Sequence, residues 1–310
     1  MDKNVIVGIE HGDDAAVYRL PSGEQLVATL DFFTPVVDDA RDFGRIAAAN
    51  SLSDVYAMGG RPLFALSIVC WPVKLGMEQL GEVMAGGSAV AAAAGIPILG
   101  GHSVDDTVPK YGLVAIGLVE PGKLTANKGA VPGDRLYLTK PLGSGALTGA
   151  IKKGLLDDAG VREVTDVMAT LNDKAARAMN AAGVKAATDV TGFGLLGHLQ
   201  KMMLASGTEA HVRVRDLPVI EAARALYSSG AVPGGTKRNL SHFGASAVFE
   251  AGVPAGSDLL AADAQTSGGI LACVPAAGVA AFEASLRESG TLVACIGEVR
   301  AGIAGRCVFA

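Results

Sequence analysis

Five short runs rich in Val, Ile and Leu, broken twice by long helical stretches, fix what the first third of this chain can fold into. The runs are Val5-Ile6-Val7, 25–30, 63–70, 96–99 and 111–119, all of strand length. The helical stretches cover 42–58, closed by Gly59-Gly60 and Pro62, and 77–94, closed by Gly95. Apolar strands with helices long enough to cover them make an α+β unit of about 120 residues, the size of one ordinary domain.

Around 121–133 the composition turns to Pro-Gly-Lys, Asn-Lys-Gly and Val-Pro-Gly, the mark of a connection between domains. The expected organisation is an N-terminal domain over 1–120, a linker over 121–133 and a C-terminal domain over 134–310. The second half reads as an α/β layered domain. Its strands fall at 134–139, 187–188, 211–214, 269–274 and 292–297, and its helices at 145–153, 163–182, 194–205 and 217–227. With 310 residues, 50% of them hydrophobic, the chain can bury two cores. It shows no short repeat and no low-complexity tract.

Charge and cysteine usage exclude several classes of partner. Against 31 acids stand 26 bases, a net charge of −5, which offers no basic excess for nucleic-acid phosphates. The uncharged stretch 83–101 is mostly alanine and glycine and contains Pro97, so no membrane span is expected. Cys70, Cys273, Cys295 and Cys307 lie far apart in apolar surroundings without a C-x-x-C pair, as befits reduced thiols. No secretory signal is evident among the first residues, and the cytoplasm is the expected location.

The acids carry the chemistry. In the stretch 42–58 most side chains are apolar, yet Asn50 and Asp54 lie four apart and so share one helix face. An ionised Asp there costs several kcal/mol unless paired, and no Lys or Arg shares its face. A helix end frayed to solvent is the alternative. Asp31 closes the apolar run ending at Leu30, and Asp189 repeats that arrangement in the second half. Asp13 and Asp14 fall in a Gly-Asp-Asp turn, where solvated turn formers are equally common. Hard oxygen ligands at several strand ends suit Mg²⁺, which takes one or two carboxylates and completes its shell with phosphate oxygens and water.

Two glycine motifs bear on a phosphate ligand. Gly100-Gly101-His102-Ser103 reads as a turn after a strand, where the backbone could approach a ligand closely; a hydrogen-bonded loop histidine is the other reading of His102. The run 192–197 fits the dinucleotide fingerprint, with Glu209 downstream, but lies deep in the chain rather than in an opening βαβ unit. No G-x-x-x-x-G-K-[ST] loop occurs, and Gly234-Gly235-Thr236-Lys237-Arg238 reads as a basic surface loop.

Taken together, Gly12-Asp13-Asp14-Ala15-Ala16-Val17, Asp31-Phe32-Phe33, the run 43–54, Gly100-Gly101-His102-Ser103, the run 188–198 and Gln265-Thr266-Ser267-Gly268-Gly269 closely resemble the selenophosphate synthetase (selenide, water dikinase) family. The resemblance covers nearly the whole chain and is shared in part with aminoimidazole ribonucleotide synthetase, thiamine-monophosphate kinase and the hydrogenase-maturation dehydratase. It implies an aminoimidazole ribonucleotide synthetase-like fold whose N-terminal sheet pairs in a homodimer. The implied reaction takes ATP, selenide and water to selenophosphate, AMP and phosphate. By residue matching Asp14, Asp54 and Asp189 would hold Mg²⁺, with Asp31 also at the ATP-metal cluster. His11, Gly12, Asp13, Gly101, His102 and Ser103 would line ATP. A monovalent cation such as K⁺ is also expected of the family.

One departure accompanies the match. The family carries a glycine-rich segment with a reactive Cys or selenocysteine and a nearby Lys ahead of the position matching Val5; here it is absent, and none of the four cysteines matches it. The expectation is a truncated form that turns over selenide slowly or not at all. The rivals are a synthetase or kinase of the same superfamily acting on another substrate, a nucleotide-binding scaffold without catalysis, and a dinucleotide oxidoreductase resting on 192–197.

Overall fold

Side-chain alternation gives the first sheet one face for a helix and one face with no helix of its own. The computed structural model describes residues 2–9 and 12–310. The chain divides into two compact units, Met1–Leu124 with Met168–Asp173, and Thr125–Val167 with Lys174–Ala310. The first unit holds β1 (Val5–Val7), β2 (Ala16–Arg19), β3 (Gln25–Phe33), β4 (Arg61–Trp71), β5 (Ile98–Asp105) and β6 (Lys110–Val119) in the order β1-β2-β3-β6-β4-β5. Neighbours are antiparallel except β4 and β5. Its helices are α1 (Ala40–Ala57) and α2 (Met77–Ala93), and α1 packs on β3, β4 and β6.

Val27, Leu113, Ala115, Ala65 and Val69 alternate onto the α1 side and are buried. The residues between them, including Ala28, Leu30, Phe32, Phe64, Leu66, Ile68, Val114, Ile116 and Leu118, are all apolar and only half-buried or exposed. Three neighbouring strands thus present a continuous apolar face.

Asp39 caps α1 by accepting from the Asp42 amide at 2.8 Å, and Gly59 at φ +74° with the Gly60 amide returned to the Val55 carbonyl at 2.9 Å ends it. Two glycines set how closely α1 and α2 approach. A Cβ on Gly44 would lie 1.9 Å from the Val83 carbonyl oxygen, and one on Gly86 2.0 Å from that of Arg41. Gly86→Ala therefore forces two backbones apart. The expected loss is about 2–3 kcal/mol, the upper part of the overpacking range, read as a lower denaturant midpoint.

The second unit orders β7 (Arg135–Leu138), β8 (Ala186–Asp189), β9 (Glu209–Val212), β10 (Ala247–Phe249), β11 (Ile270–Val274), β12 (Ala294–Arg300) and β13 (Cys307–Phe309) as β10-β13-β9-β12-β7-β11-β8. Its helices are α3 (Ser144–Ile151), α4 (Asp158–Ala169), α5 (Asp173–Ala182), α6 (Gly194–Ser206), α7 (Glu221–Ser229), α8 (Gly234–Phe243), α9 (Ser257–Ala262) and α10 (Val279–Glu288). The mixture of helices and sheets in both halves is the α+β organisation expected. Among the described residues no helix is long and apolar enough to cross a membrane.

Several local expectations need correction. The helix expected over 163–182 is two helices, with Asn172 between them donating to Ser53 Oγ at 2.8 Å. Gly234 to Arg238 is the start of α8, because buried Thr236 donates to Asp263. Gly100 to Ser103 continues β5 instead of turning, since Gly101 pairs with Ser67 and Ser103 with Val69. The run 192–197 follows β8, an edge strand antiparallel to β11, and β9 after α6 lies elsewhere in the sheet. A dinucleotide fold needs adjacent parallel strands there, so that rival loses its basis.

Candidate functional site

In the first unit the candidate acids are set by a match between helix and strand spacing. Four residues of α-helix rise about 6.0 Å and two residues of strand about 6.7 Å. Asp54 and Asn50 on α1 therefore meet Thr29 and Asp31 on β3. Thr29 Oγ1 donates to Asp54 Oδ2, and Asn50 Nδ2 donates to Asp31 Oδ2 at 2.8 Å. Asp54 is 9% exposed within a complete helix, which removes the frayed-end reading. The Ser51 hydroxyl between them binds the Asp31 and Ala47 carbonyls at 3.0 and 2.9 Å and accepts from the Leu113 amide at 3.1 Å.

Burial pushes the Asp31 carboxyl above its ordinary pKa, and the Asn50 hydrogen bond offsets only part of this. The native state then holds the Asp31 proton more tightly than the unfolded chain does. The stability this gives is full below the ordinary carboxylate pKa and is lost as pH rises through the raised native value. Asp31→Asn is therefore expected to melt higher than the native chain without metal near pH 7, the gain vanishing towards about pH 4. Melting curves across that range check it.

Asp13 and Asp14 are half-buried and lie just ahead of β2, with the Asp14 amide donating to Asp13 Oδ1 at 3.2 Å. Ala16 pairs with Ala28 in an antiparallel ladder, so Asp14 falls at the end of the sheet that carries Asp31. His11 lies outside the described residues.

Asp31, Leu113, Ser67 and Gly101 form one cross-strand row through β3, β6, β4 and β5. Gly101 is thus three strand spacings, about 14 Å, from Asp31. Its Cβ position lies 2.1 Å from the Ser67 carbonyl oxygen, which leaves glycine the residue that fits. Gly100, Gly101, His102 and Ser103 are exposed along β5 and border a groove of about 510 Å³ floored by Val69, Leu80 and Met84. Among the described residues no three His, Cys, Asp or Glu side chains come together as a metal cage. Paired carboxylates that leave the rest of the shell to phosphate and water suit Mg²⁺ better than a caged ion. The donor set fits it.

In the second unit Asp189 ends β8 and is 2% exposed, opposite Ile270 at the start of β11. On the other side of β11 lies the end of β7, where Ile270 N donates to Thr139 Oγ1 at 2.9 Å. Lys140 follows, 5% exposed, with Nζ donating to the Ser267 carbonyl at 2.8 Å. Burial lowers its pKa to about 7, against the opposing pull of the Asp189 charge. Ser267 has φ +48°, the left-handed region unusual outside glycine.

His198 on α6 fixes the loop after β8. Its Nε2 accepts from the Thr191 amide at 3.2 Å, so Nδ1 carries the proton and faces Thr188 Oγ1 at 3.4 Å. Burial depresses its pKa to about 3, aided by the Lys201 charge, which keeps the ring neutral. Asp263 and Gln265, neither of them a site expected from sequence, anchor the loop opposite. Asp263 is fully buried and accepts from Thr236 Oγ1 at 2.7 Å, Tyr227 Oη at 2.8 Å and the Ala146 amide at 3.0 Å. Gln265 Oε1 accepts from the Gly143 and Ser144 amides. An acid inside the apolar run Leu-Leu-Ala-Ala-Asp-Ala carries the same signal as Asp54 and could have been found by it. Cys273 and Cys307 are buried; burial drives both thiols upward, Cys307 to about 12, so neither is a ready thiolate.

Models of the AIR synthase related protein family match the chain over residues 12–119 for the N-terminal domain and 131–308 for the C-terminal domain. The selenide, water dikinase of Myxococcus xanthus is 50% identical over 303 residues, 97% of this chain and 86% of the relative. The chain belongs to the selenide, water dikinase family. The Carboxydothermus hydrogenoformans selenide, water dikinase is 49% identical, covering 96% of this chain and 86% of that protein. Among solved structures, thiamine-monophosphate kinase from Stenotrophomonas maltophilia superposes with a TM-score of 0.73 at 23% identity, covering 99% of this chain and 92% of that one. The hydrogenase maturation protein HypE in complex with ATP gives 0.70 at 21% identity, covering 94% and 83%. These structures share the fold of this selenide, water dikinase family member.

Proposed function

We propose that this chain forms selenophosphate from selenide, ATP and water, releasing AMP and phosphate, with Mg²⁺ bound to the nucleotide. The observation that carries the reading is the placing of half-buried Asp31 and buried Asp54 side by side, held by Asn50 and Thr29, in a chain half identical to selenide, water dikinases. Asp14, Asp54 and Asp189 hold metal and Asp31 joins the ATP-metal cluster. His11, Gly12, Asp13, Gly101, His102 and Ser103 line the nucleotide. Bound Mg²⁺ neutralises charge on the phosphates. The chain's own part is to fix carboxylates before substrate arrives: Thr29 and Asn50 pin two of them, and His198 holds the loop following Asp189. A K⁺ site and a cytoplasmic setting belong to the same reading.

The apolar face of the first sheet supports a homodimer in which the same face of a second copy covers it, as two-fold symmetry requires of a self-complementary patch. Product analysis with selenide and Mg-ATP tests the reaction. AMP with selenophosphate is expected; selenide-independent ADP formation would instead favour a kinase acting on another substrate.

A further inference from the structure

The two residues after Asp189 have little backbone freedom, because separate segments of the second unit hold their peptide groups. The Val190 amide donates to the Gly269 carbonyl at 2.9 Å and the Thr191 amide to His198 Nε2 at 3.2 Å, while the Thr191 carbonyl accepts from the Gln265 amide at 2.9 Å. Two of these three bonds come from one loop, 265–269. What fixes that loop in turn is the Gln265 side chain, which is 4% exposed. Its Oε1 accepts from the Gly143 amide at 2.9 Å and from the Ser144 amide and Oγ at 3.1 Å, and its Nε2 donates to the Asp263 carbonyl at 2.8 Å and to Asp263 Oδ2 at 3.1 Å. Both donors and both lone pairs of the amide are engaged. Ser144 Oγ accepts in return from the Thr266 amide at 2.9 Å. Gln265 thus satisfies amides at the start of α3 from a distant part of the chain, and its own backbone reaches the loop beyond β8.

We propose that Gln265 is a positioning residue, a clamp that ties the start of α3 to the Thr191 peptide and so holds Asp189 ready for a divalent cation. Its side chain is enclosed by protein and meets no substrate, so it acts through Thr191. The clamp stands on hydrogen-bond geometry, while its service to metal rests on the reading that Asp189 is a ligand. A carboxylate whose backbone is fixed in advance loses less freedom when a cation binds.

Gln265→Met in the full chain keeps the side-chain length and removes its hydrogen bonds. Amide exchange at Val190 and Thr191, followed by NMR without metal, reads the clamp. Exchange there is expected to quicken about tenfold, the upper end of what one hydrogen bond is worth. Tyr227→Phe is the control: it loses the 2.8 Å bond to Asp263 but leaves Gln265 on Thr191, and these two amides should keep their protection. Unchanged protection in Gln265→Met, or an equal loss in Tyr227→Phe, would overturn the clamp. Titration with Mg²⁺ in the presence of ATP reads the consequence. Half-maximal thermal stabilisation of Gln265→Met should need about tenfold more Mg²⁺ than the native chain, the lower end of the losses met when a partner behind a metal ligand is removed, with no change in Tyr227→Phe. Equal Mg²⁺ requirements in Gln265→Met and the native chain would overturn the positioning role. Should Gln265→Met fail to fold, Ser144→Ala decides, since it removes one donor to Gln265 and should move both readouts the same way by about threefold. A native chain that Mg-ATP does not stabilise would sink the nucleotide reading and the metal role with it, while the exchange result would still count for or against the clamp.

Discussion

Asp54→Ala is expected to reduce selenide-dependent AMP release by on the order of 10²–10³-fold, the scale of losing one preorganised charge contact, while moving the metal-free melting temperature by no more than about 3 °C. The asymmetry follows from where the side chain sits. Asp54 is 9% exposed, it accepts from the neutral Thr29 hydroxyl, and a second acid, Asp31, lies two residues along β3 from Thr29, held by Asn50 one helical turn from Asp54. Removing the carboxylate takes away a desolvated charge and a like-charge neighbour, both unfavourable without metal. Thr29 loses an acceptor but is only half-buried, so water can replace it. A collapse of the metal-free melting temperature would show Asp54 to be a structural acid.

Ile116→Asp is expected to leave a folded monomer without activity. Ile116 lies at the centre of the apolar face, paired with Ala28 on one side and Phe64 on the other. In the isolated chain its side chain is only half-buried, so the new carboxylate keeps access to water and the fold survives. In a pair of copies the same carboxylate would be buried against apolar side chains, which costs several kcal/mol and weakens association by at least about 10³-fold. Sedimentation of the native chain should give twice the monomer mass at micromolar concentration, and of the variant the monomer mass with an unchanged far-UV spectrum. A monomeric native chain would remove the dimer from the proposal.

Strands and helices of the first unit were legible because their side chains answer to one requirement, burial on the α1 side. The acids were legible for the converse reason: Asp54 breaks an apolar pattern and so demands an explanation. Legibility failed where distant partners decide local structure. Nothing within 234–238 announces a helix; Thr236 is buried there because Asp263, far along the chain, needs donors. Gly100 and Gly101 carry a turn composition, yet they lie in β5 where Gly101 pairs with Ser67 of β4, whose backbone leaves no room for a larger residue at Gly101. Lys140 gives no signal in sequence because a lysine after a strand is ordinarily at the surface, and only the approach of β7 and β8 across β11 buries it.

The contact between α1 and β3 behaves as two rulers of unequal graduation. Helical marks at about 6.0 Å and strand marks at about 6.7 Å drift apart by roughly 0.7 Å per step, so coincidence is lost after a few rungs. Thr29 with Asp54 and Asp31 with Asn50 use two of them; two residues further along β3, Phe33 meets Phe43, seven residues before Asn50 on α1, through an aromatic edge instead of a polar pair. Between α1 and β3 the two acids fixed in this way are Asp54 and Asp31. Any further carboxylate has to be recruited from another segment, so a three-acid grip on one cation here obliges separate parts of the chain to cooperate.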